Sequence, residues 1–505
     1  HDLGGDGGRW RVMRDLSELW GNAVEQFGDR TAAIFEGEET SYAELDRMIG
    51  AFATSLRNLG VERGDRVALL MPNCLHSIIC YLGAVRAGAT ALPVNIRLKP
   101  EEMRFILGDA APTLAVIHER VWGTASQAID ESLKVVGVGL DDDWVIPAEA
   151  LLNEEPLTPH EAGRDDVAAI IYTSGTTGLP KGAMITHSNV LFNVEATISG
   201  HGFRPDDVHI LAVPLFHVTG LNTIMPTAFH QGARVVVTAQ VSPRDILRLI
   251  EQHGATTWFG VPTTMILLSQ LPDIDGFDLT SLRLIAYSGA PMPVRTIAKL
   301  REMFPGVKLH NFFGLTETTS CTTVLPDEQA IERAESIGRA APGIELRIDA
   351  EPGEVGELLV RAPSVVPGYY DRPDATAEAI VDGWLHTGDT AIIDDEGYVF
   401  LKGRQKEMII VGGENVYPIE VENVLTRHPA VAEVAAVGAP HKVFGEVVRA
   451  VVVLRPEAEA DARELKRHCV EHVASYKVPQ IIEFRESLPR NPSGKVVKRL
   501  LVDDG

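Results

Sequence analysis

Short apolar runs alternate with stretches whose apolar residues recur at helical spacing, and a chain written this way is held to a layered α/β structure. Asp15 and Glu18 have capping-box spacing ahead of a helical face made by Leu16, Leu19, Trp20, Ala23, Val24 and Phe27. Ser41 and Glu44 repeat that spacing before Leu45, Met48, Ile49, Phe52, Leu56 and Leu59, and Gly60 is the expected stop. An apolar strand follows at 67–71, a helix at 75–87 and another strand at 90–94. The same strand texture returns at 167–172, 208–213, 233–238 and 281–288. Past Ala340 the texture changes to short strands and turns. The segment 356–361 reads as a strand, and 391–401 as a hairpin turning on Asp395-Glu396-Gly397. From Glu407 a smaller α+β unit begins, with a helix opened by Pro418 and a strand pair at 431–438 and 447–454.

The 505 residues allow about three domains at roughly 150 residues each, and the near-average apolar content supports a sizeable core. A formal charge of −24 argues against a surface for the phosphate backbone of nucleic acid, which needs concentrated Lys and Arg. A small nucleotide needs only a few local cations and stays open. Cys74, Cys80, Cys321 and Cys469 form no C-x-x-C pair, so reduced thiols in a cytoplasmic protein are expected, not zinc or disulfides. No uninterrupted apolar run approaches the ~18 residues of a membrane span. The first residues are rich in Gly and Asp, with no basic segment before an apolar run, so no secretory leader is expected.

The most informative stretch is 173–182, which follows an apolar strand. Gly175, Gly178 and Gly182 let the backbone approach a ligand closely. Ser174, Thr176 and Thr177 add hydroxyl donors, and Lys181 adds a positive charge. Glycines, hydroxyls and one lysine after a strand suit a polyphosphate, because backbone N–H groups and a cation both stabilise it. The order differs from the P-loop, since Gly182 follows the lysine.

Seven strings then occur in order: YTSGTTGLPKG at 172–182, PLFHVTG at 214–220, SGAPMP at 288–293, NFFGLTET at 311–318, WLHTGD at 384–389, KGRQKEMIIVGGENVYPIEVE at 402–422 and PRNPSGKVVKR at 489–499. Through them the chain resembles the adenylate-forming family of acyl-CoA synthetases, luciferase-like enzymes and peptide-synthetase adenylation domains, from about Leu16 to Lys498. The resemblance implies that ATP and a carboxylic acid give an acyl-adenylate and pyrophosphate, after which a thiol, usually coenzyme A, displaces AMP. It implies a large N-terminal domain, 1–402, of layered α/β subdomains plus a β-barrel-like subdomain. A hinge at 403–406 and a small mobile α+β C-terminal domain, 407–505, would follow.

Residue by residue, the resemblance implies the following roles. Thr173, Ser174, Gly175, Thr176, Thr177, Gly178 and Lys181 surround the β- and γ-phosphates. Thr316 meets the α-phosphate, and Glu317 holds Mg²⁺, a hard cation that prefers oxygen. Phe312, Phe313 and Gly314 give one wall for adenine, and Gly289, Ala290 and Pro291 the other. Asp389 accepts from both ribose hydroxyls, for which a carboxylate is well suited, and Arg404 is a second ribose contact. Lys495 bridges the acyl carboxylate and the α-phosphate, stabilising charge as the P–O bond forms. Lys406 is the hinge residue. Domain rotation there exchanges Lys495 for Gly412, Gly413, Glu414 and Asn415 at the pantetheine arm. His217 borders the acyl carboxylate.

The acyl pocket is expected from His217, Val218, Thr219, Gly220, Leu221, Trp258, Gly260 and Gly289. The segments 217–221, 258–262 and 287–290 carry no Arg or Lys to pair with a second substrate carboxylate, which disfavours malonate. A medium- to long-chain fatty acid is therefore the first expectation. Apolar walls accept aryl rings almost as well, so an aryl- or phenylpropanoid-CoA ligase stays open. So do a luciferase-like oxygenase and an adenylation enzyme that acylates a free-standing carrier protein. No carrier-domain serine motif follows the C-terminal string, so a fused carrier is not expected. A non-catalytic binding protein is disfavoured because Glu317 and Lys495 are both in place. The expected partners are thus ATP, Mg²⁺, CoA and a small acid, without nucleic acid, and a homodimer is left open.

Overall fold

The computed structural model describes residues 13–130, 132–160, 162–173, 180–272, 274–290, 292–404, 407–411, 414–442, 444–491 and 494–502. Among these the strands form four sheets. In one, the strands Lys134–Val138, Leu114–His118, Arg66–Leu70, Thr90–Pro93 and Val167–Thr173 run parallel, and Lys181–Thr186 closes the edge antiparallel. In the second, Lys308–Phe313, Leu284–Tyr287, Thr257–Gly260, Val208–Leu211, Arg234–Val237 and Thr31–Phe35 run parallel.

Alternation along buried strands explains the layers. Val67 and Leu69 enter one core, and Ala68 and Leu70 enter another on the opposite face. The first core lies between the two sheets. It contains the helices Leu16–Phe27, Tyr42–Asn58, Leu75–Arg86, His187–His201 and Met225–His230. Helices Pro100–Ala110 and Glu119–Ala125 cover the outer face of the first sheet. Pro243–His253, Pro262–Leu268 and Val294–Met303 cover the outer face of the second. The result is five layers, α/β/α/β/α.

Both expected caps form. Asp15 accepts from Glu18 N at 2.8 Å, and Ser41 and Glu44 make a reciprocal capping box, each worth about 1 kcal/mol. The face of the first helix is narrower than its pattern predicts, since Val24 and Phe27 are only half-buried. The expected strand 281–288 pairs only over Leu284–Tyr287.

The barrel-like part is a five-stranded antiparallel sheet whose long strands are Glu345–Asp349, Gly356–Arg361, Trp384–Ile393 and Val399–Arg404. The last sheet holds Val431–His441 against Gly445–Leu454, with Ile481–Phe484 parallel to the latter. Helices Pro418–Thr426 and Ala462–Val470 pack on it. No helix among the described residues is long and apolar enough to cross a membrane.

Candidate active site

Loops at the carboxyl ends of parallel strands are where open α/β sheets bind ligands. Here Thr173 and Gly260 end two such strands, and His217, Gly289 and Thr316 stand in the loops that follow three others. Asn73 shapes the His217 loop. Its Nδ2 donates to Leu211 O at 3.0 Å and Val213 O at 2.9 Å, and its Oδ1 accepts from Leu215 N at 2.8 Å. This draws Val213 out of the strand expected to reach it. Gly220 then passes so close that a Cβ would lie 2.7 Å from the carbonyl oxygens of Val213 and Pro214.

His217 emerges from that loop. Its Nδ1 accepts from Thr219 N at 3.4 Å, so in the neutral ring Nε2 carries the proton. Burial, with the Lys495 ammonium adding to it, holds the imidazole down at about 4. The ring is neutral at pH 7 and acts as a donor. His217 and Lys495 are both solvent-accessible, although the groups around them desolvate their charged forms.

Lys495 is presented by a tight loop. Its N–H donates to Asn491 Oδ1 at 2.9 Å, its carbonyl accepts from Asn491 N at 2.8 Å, and Gly494 has φ +86°. Burial and Arg404 lower its pKa, while Asp389 and Glu317 oppose them. These charges, scattered over the sequence, therefore lie within reach of one ammonium. Three residues on, Lys498 Nζ bridges Glu407 at 3.0 Å and Glu422 at 2.9 Å, tying the lysine loop to the start of the C-terminal unit.

Asp389 and Arg404 are cross-strand partners, with Nε 2.7 Å from Oδ1. The carboxylate is buried, and its Oδ2 has no hydrogen-bond partner. Burial pushes Asp389 up to about 6, against the opposing pull of Arg404 and Lys495. A buried acceptor left unsatisfied costs free energy until a donor arrives. It therefore marks a place for a ligand hydroxyl.

Glu317 sits in the short 3₁₀ turn Thr316–Thr318. Its Oε1 accepts from the Tyr369 hydroxyl at 2.8 Å, and its carbonyl accepts from Val366 N at 2.9 Å. Lys181 pairs with Thr173 across the strand ends, and its Nζ stands 5.1 Å from the centre of the Tyr369 ring.

Residues 20–370 match the AMP-binding enzyme family, and residues 420–495 match the AMP-binding enzyme C-terminal domain. The chain belongs to the AMP-binding enzyme family. It is 36% identical over 476 residues to feruloyl-CoA synthase of Amycolatopsis sp, covering 93% of this chain and 94% of that protein. It is 34% identical over 479 residues to long-chain-fatty-acid–CoA ligase FadD13 of Mycobacterium tuberculosis, covering 91% and 92%. Among solved structures, o-succinylbenzoate coenzyme A synthetase of Bacillus subtilis with ATP and magnesium superposes with a TM-score of 0.85. It is 30% identical, over 96% of this chain and 98% of that one. This chain is an AMP-forming acyl-CoA ligase that works through an acyl-adenylate, with ATP, Mg²⁺ and CoA.

Several expected site residues of the ligase are buried. Phe312 is 3% exposed and packs against His201 and Phe259, so its ring backs the wall from the core. Adjacent strand residues face opposite ways, which leaves the half-buried Phe313 as the aromatic on the other face. Trp258 is 1% exposed among Met265, Ile285 and Tyr287, and Val218 and Leu221 are core residues as well. Thr219 and Gly220 are also buried, whereas His217, Gly260 and Gly289 are accessible.

Ser174, Gly175, Thr176, Thr177, Gly178, Pro291, Lys406, Gly412 and Gly413 lie outside the described residues. Glu414 and Asn415 begin the strand Glu414–Val416. The sequence reading missed Tyr369 and Lys498. Nothing in Gly368-Tyr369-Tyr370 distinguishes an active-site tyrosine from a packed one, because its partners come from elsewhere in the chain.

Proposed function

We propose that this ligase activates a monocarboxylic acid with an apolar body, first of all a medium- to long-chain fatty acid. The observation that carries the reading is that His217, Asp389, Arg404 and Glu317 all lie within electrostatic reach of Lys495, with apolar or small residues in the neighbouring loops. The acid's carboxylate oxygen attacks the α-phosphorus, forming a P–O bond as the bond to pyrophosphate breaks. Lys495 offsets the negative charge that builds on phosphorus and on the attacking oxygen. His217 donates from Nε2 to the acyl carboxylate and orients it. Asp389 takes the ribose hydroxyls beside Arg404, and Thr316 meets the α-phosphate. CoA sulfur then attacks the acyl carbon and AMP leaves. We place the hinge at 403–406, so that 407–505 turns between the two steps, and we place the protein in the cytoplasm as a monomer or homodimer.

Magnesium fits this donor set. Among the described residues no cluster of three or more His, Cys, Asp or Glu assembles, and Glu317 offers one carboxylate with one oxygen taken by Tyr369. Such a site suits an ion that keeps waters and binds nucleotide phosphates. When bound it neutralises charge on the phosphates.

The test is pyrophosphate release, expected to require an acid and Mg²⁺ and to be followed by CoA-dependent AMP release. Acids of rising chain length should peak in the fatty range, and a maximum on malonate would overturn the pocket reading. Likeness to the feruloyl-CoA synthase favours an aryl or phenylpropanoid acid as the second reading, and benzoates and cinnamates in the same screen decide between them.

The ribose assignment has its own pH signature. Asp389 must be ionised to accept two hydroxyl hydrogens, so adenosine, which has no phosphate to titrate, should lose affinity as pH falls through about 6. Arg404 lowers that pKa. Arg404→Gln should therefore move the midpoint up, by on the order of one unit. Calorimetric titration across pH checks this, and an unmoved or lowered midpoint contradicts it.

A further inference from the structure

Tyr369 stands between the two groups assigned above to phosphate handling. Its hydroxyl donates to Glu317 Oε1 at 2.8 Å, and the Lys181 ammonium lies 5.1 Å from its ring centre, within cation–π range. Its backbone is fixed to the strand that leaves the phosphate loop. Ala183 and Tyr369 form an antiparallel bridge, Met184 N donates to Gly368 O at 3.0 Å, and Tyr370 N donates to Gly182 O at 2.8 Å. Tyr369 N donates to Thr376 Oγ1 at 2.9 Å. The neighbouring Val366 holds the Glu317 carbonyl. One short segment thus binds both the exit strand of the loop and the carboxylate. Tyr369 also borders an open cleft of about 550 Å³ lined by Met184, Pro367, Asp371, Arg372 and Ile380. The side chain is half-buried, packed against the main core and bordering this cleft, and its hydroxyl bond to Glu317 adds a polar anchor.

We propose that Tyr369 is a positioning residue: its hydroxyl fixes Glu317 so that the second carboxylate oxygen faces the metal, and its ring is the platform that keeps Lys181 beside it. This rests on the proposed roles of Glu317 and Lys181 in holding ATP and Mg²⁺. A carboxylate free to rotate spends less time aimed at the metal, and a lysine without its platform spends less time at the phosphates. The two halves of the side chain therefore have separable effects.

The experiment compares Tyr369→Phe, which keeps the ring, with Tyr369→Leu, which removes both functions. ATP binding is measured by calorimetry with and without Mg²⁺, and pyrophosphate release is measured against Mg²⁺ concentration. Tyr369→Phe should leave metal-free ATP binding unchanged and raise the Mg²⁺ needed for half-effect by about three- to tenfold, the net worth of one ordinary hydrogen bond. In a Glu317→Gln background it should add little. Tyr369→Leu should also weaken metal-free ATP binding by about two- to fivefold. An unchanged Mg²⁺ dependence in Tyr369→Phe, or full additivity with Glu317→Gln, overturns the hydroxyl role. Metal-free binding as tight as native in Tyr369→Leu overturns the platform role. Thermal melts identify a variant that fails to fold, and Tyr369→Phe, nearly isosteric, then carries the test alone. If the native protein releases no pyrophosphate with any acid, the ligase reading falls, while calorimetry still reads Tyr369.

Discussion

Lys495→Ala should lower pyrophosphate release at least about a hundredfold, the usual cost of deleting one preorganised group at a developing charge. Thioester formation from a supplied acyl-adenylate and CoA should stay within a few-fold of native. The asymmetry follows from where charge appears. In the first step it builds on a five-coordinate phosphorus, and Lys495 is the cation the C-terminal loop brings within electrostatic reach of His217. The Arg404 charge is already shared with a carboxylate, its Nε lying 2.7 Å from Asp389 Oδ1. In the second step AMP is the leaving group and no new P–O bond forms. The phosphate-directed lysine is then not needed, and the proposed rotation carries it away. Equal loss in both half-reactions would contradict the assignment, since it would make Lys495 a structural residue. Fold is the necessary control. The Lys495 loop is built by backbone and Asn491 contacts, not by the ammonium, so melting should be nearly native.

Local chemistry was readable where one segment decides the outcome. Asp15 and Ser41 cap the helices their spacing foretells, and the hairpin of Trp384–Ile393 with Val399–Arg404 turns where Asp395-Glu396-Gly397 stands. The site strings placed Asp389, Arg404 and Lys495, and the structure brings them within each other's electrostatic reach. Facing was less readable. Phe312 and Phe313 are equivalent in a strand covered on both sides, and only the tertiary neighbours His201 and Phe259 decide which ring goes inward. Likewise Trp258, Val218 and Leu221 read equally well as pocket or core, because both want apolar side chains. Tyr369 was invisible for another reason. It lies 52 residues from Glu317 and meets it only because its segment pairs with the strand Lys181–Thr186. No local pattern encodes that meeting.

The second large effect is expected at Gly314, where the smallest substitution should suffice. A Cβ there would fall inside the backbone carbonyl of Ser320, with no flexible side chain to give way. The chain doubles back at this point: Ser320 N donates to Leu315 O at 3.0 Å, Leu315 N donates to Thr318 Oγ1 at 2.9 Å, and Thr322 N donates to Phe313 O at 2.9 Å. Thr319 and Ser320 hold φ of 56° and 91°, uncommon for residues with a side chain. Such backbone persists only where the surroundings over-determine it. Gly314→Ala must therefore open the 315–320 turn or displace the strand Lys308–Phe313. Either movement takes Thr316 and Glu317 with it. The expected result is a protein destabilised by about 3 kcal/mol or more that, where it still folds, has lost nearly all Mg²⁺-dependent pyrophosphate release. The comparison with Gly289→Ala is informative. Gly289, unlike Gly314, has positive φ, at 90°, and a Cβ there meets nothing within 4 Å. That variant should cost about 1 kcal/mol in backbone strain and keep measurable activity. Near-native melting and turnover in Gly314→Ala would mean that the turn carrying Glu317 has room to relax, and that its geometry is not what holds the carboxylate in place.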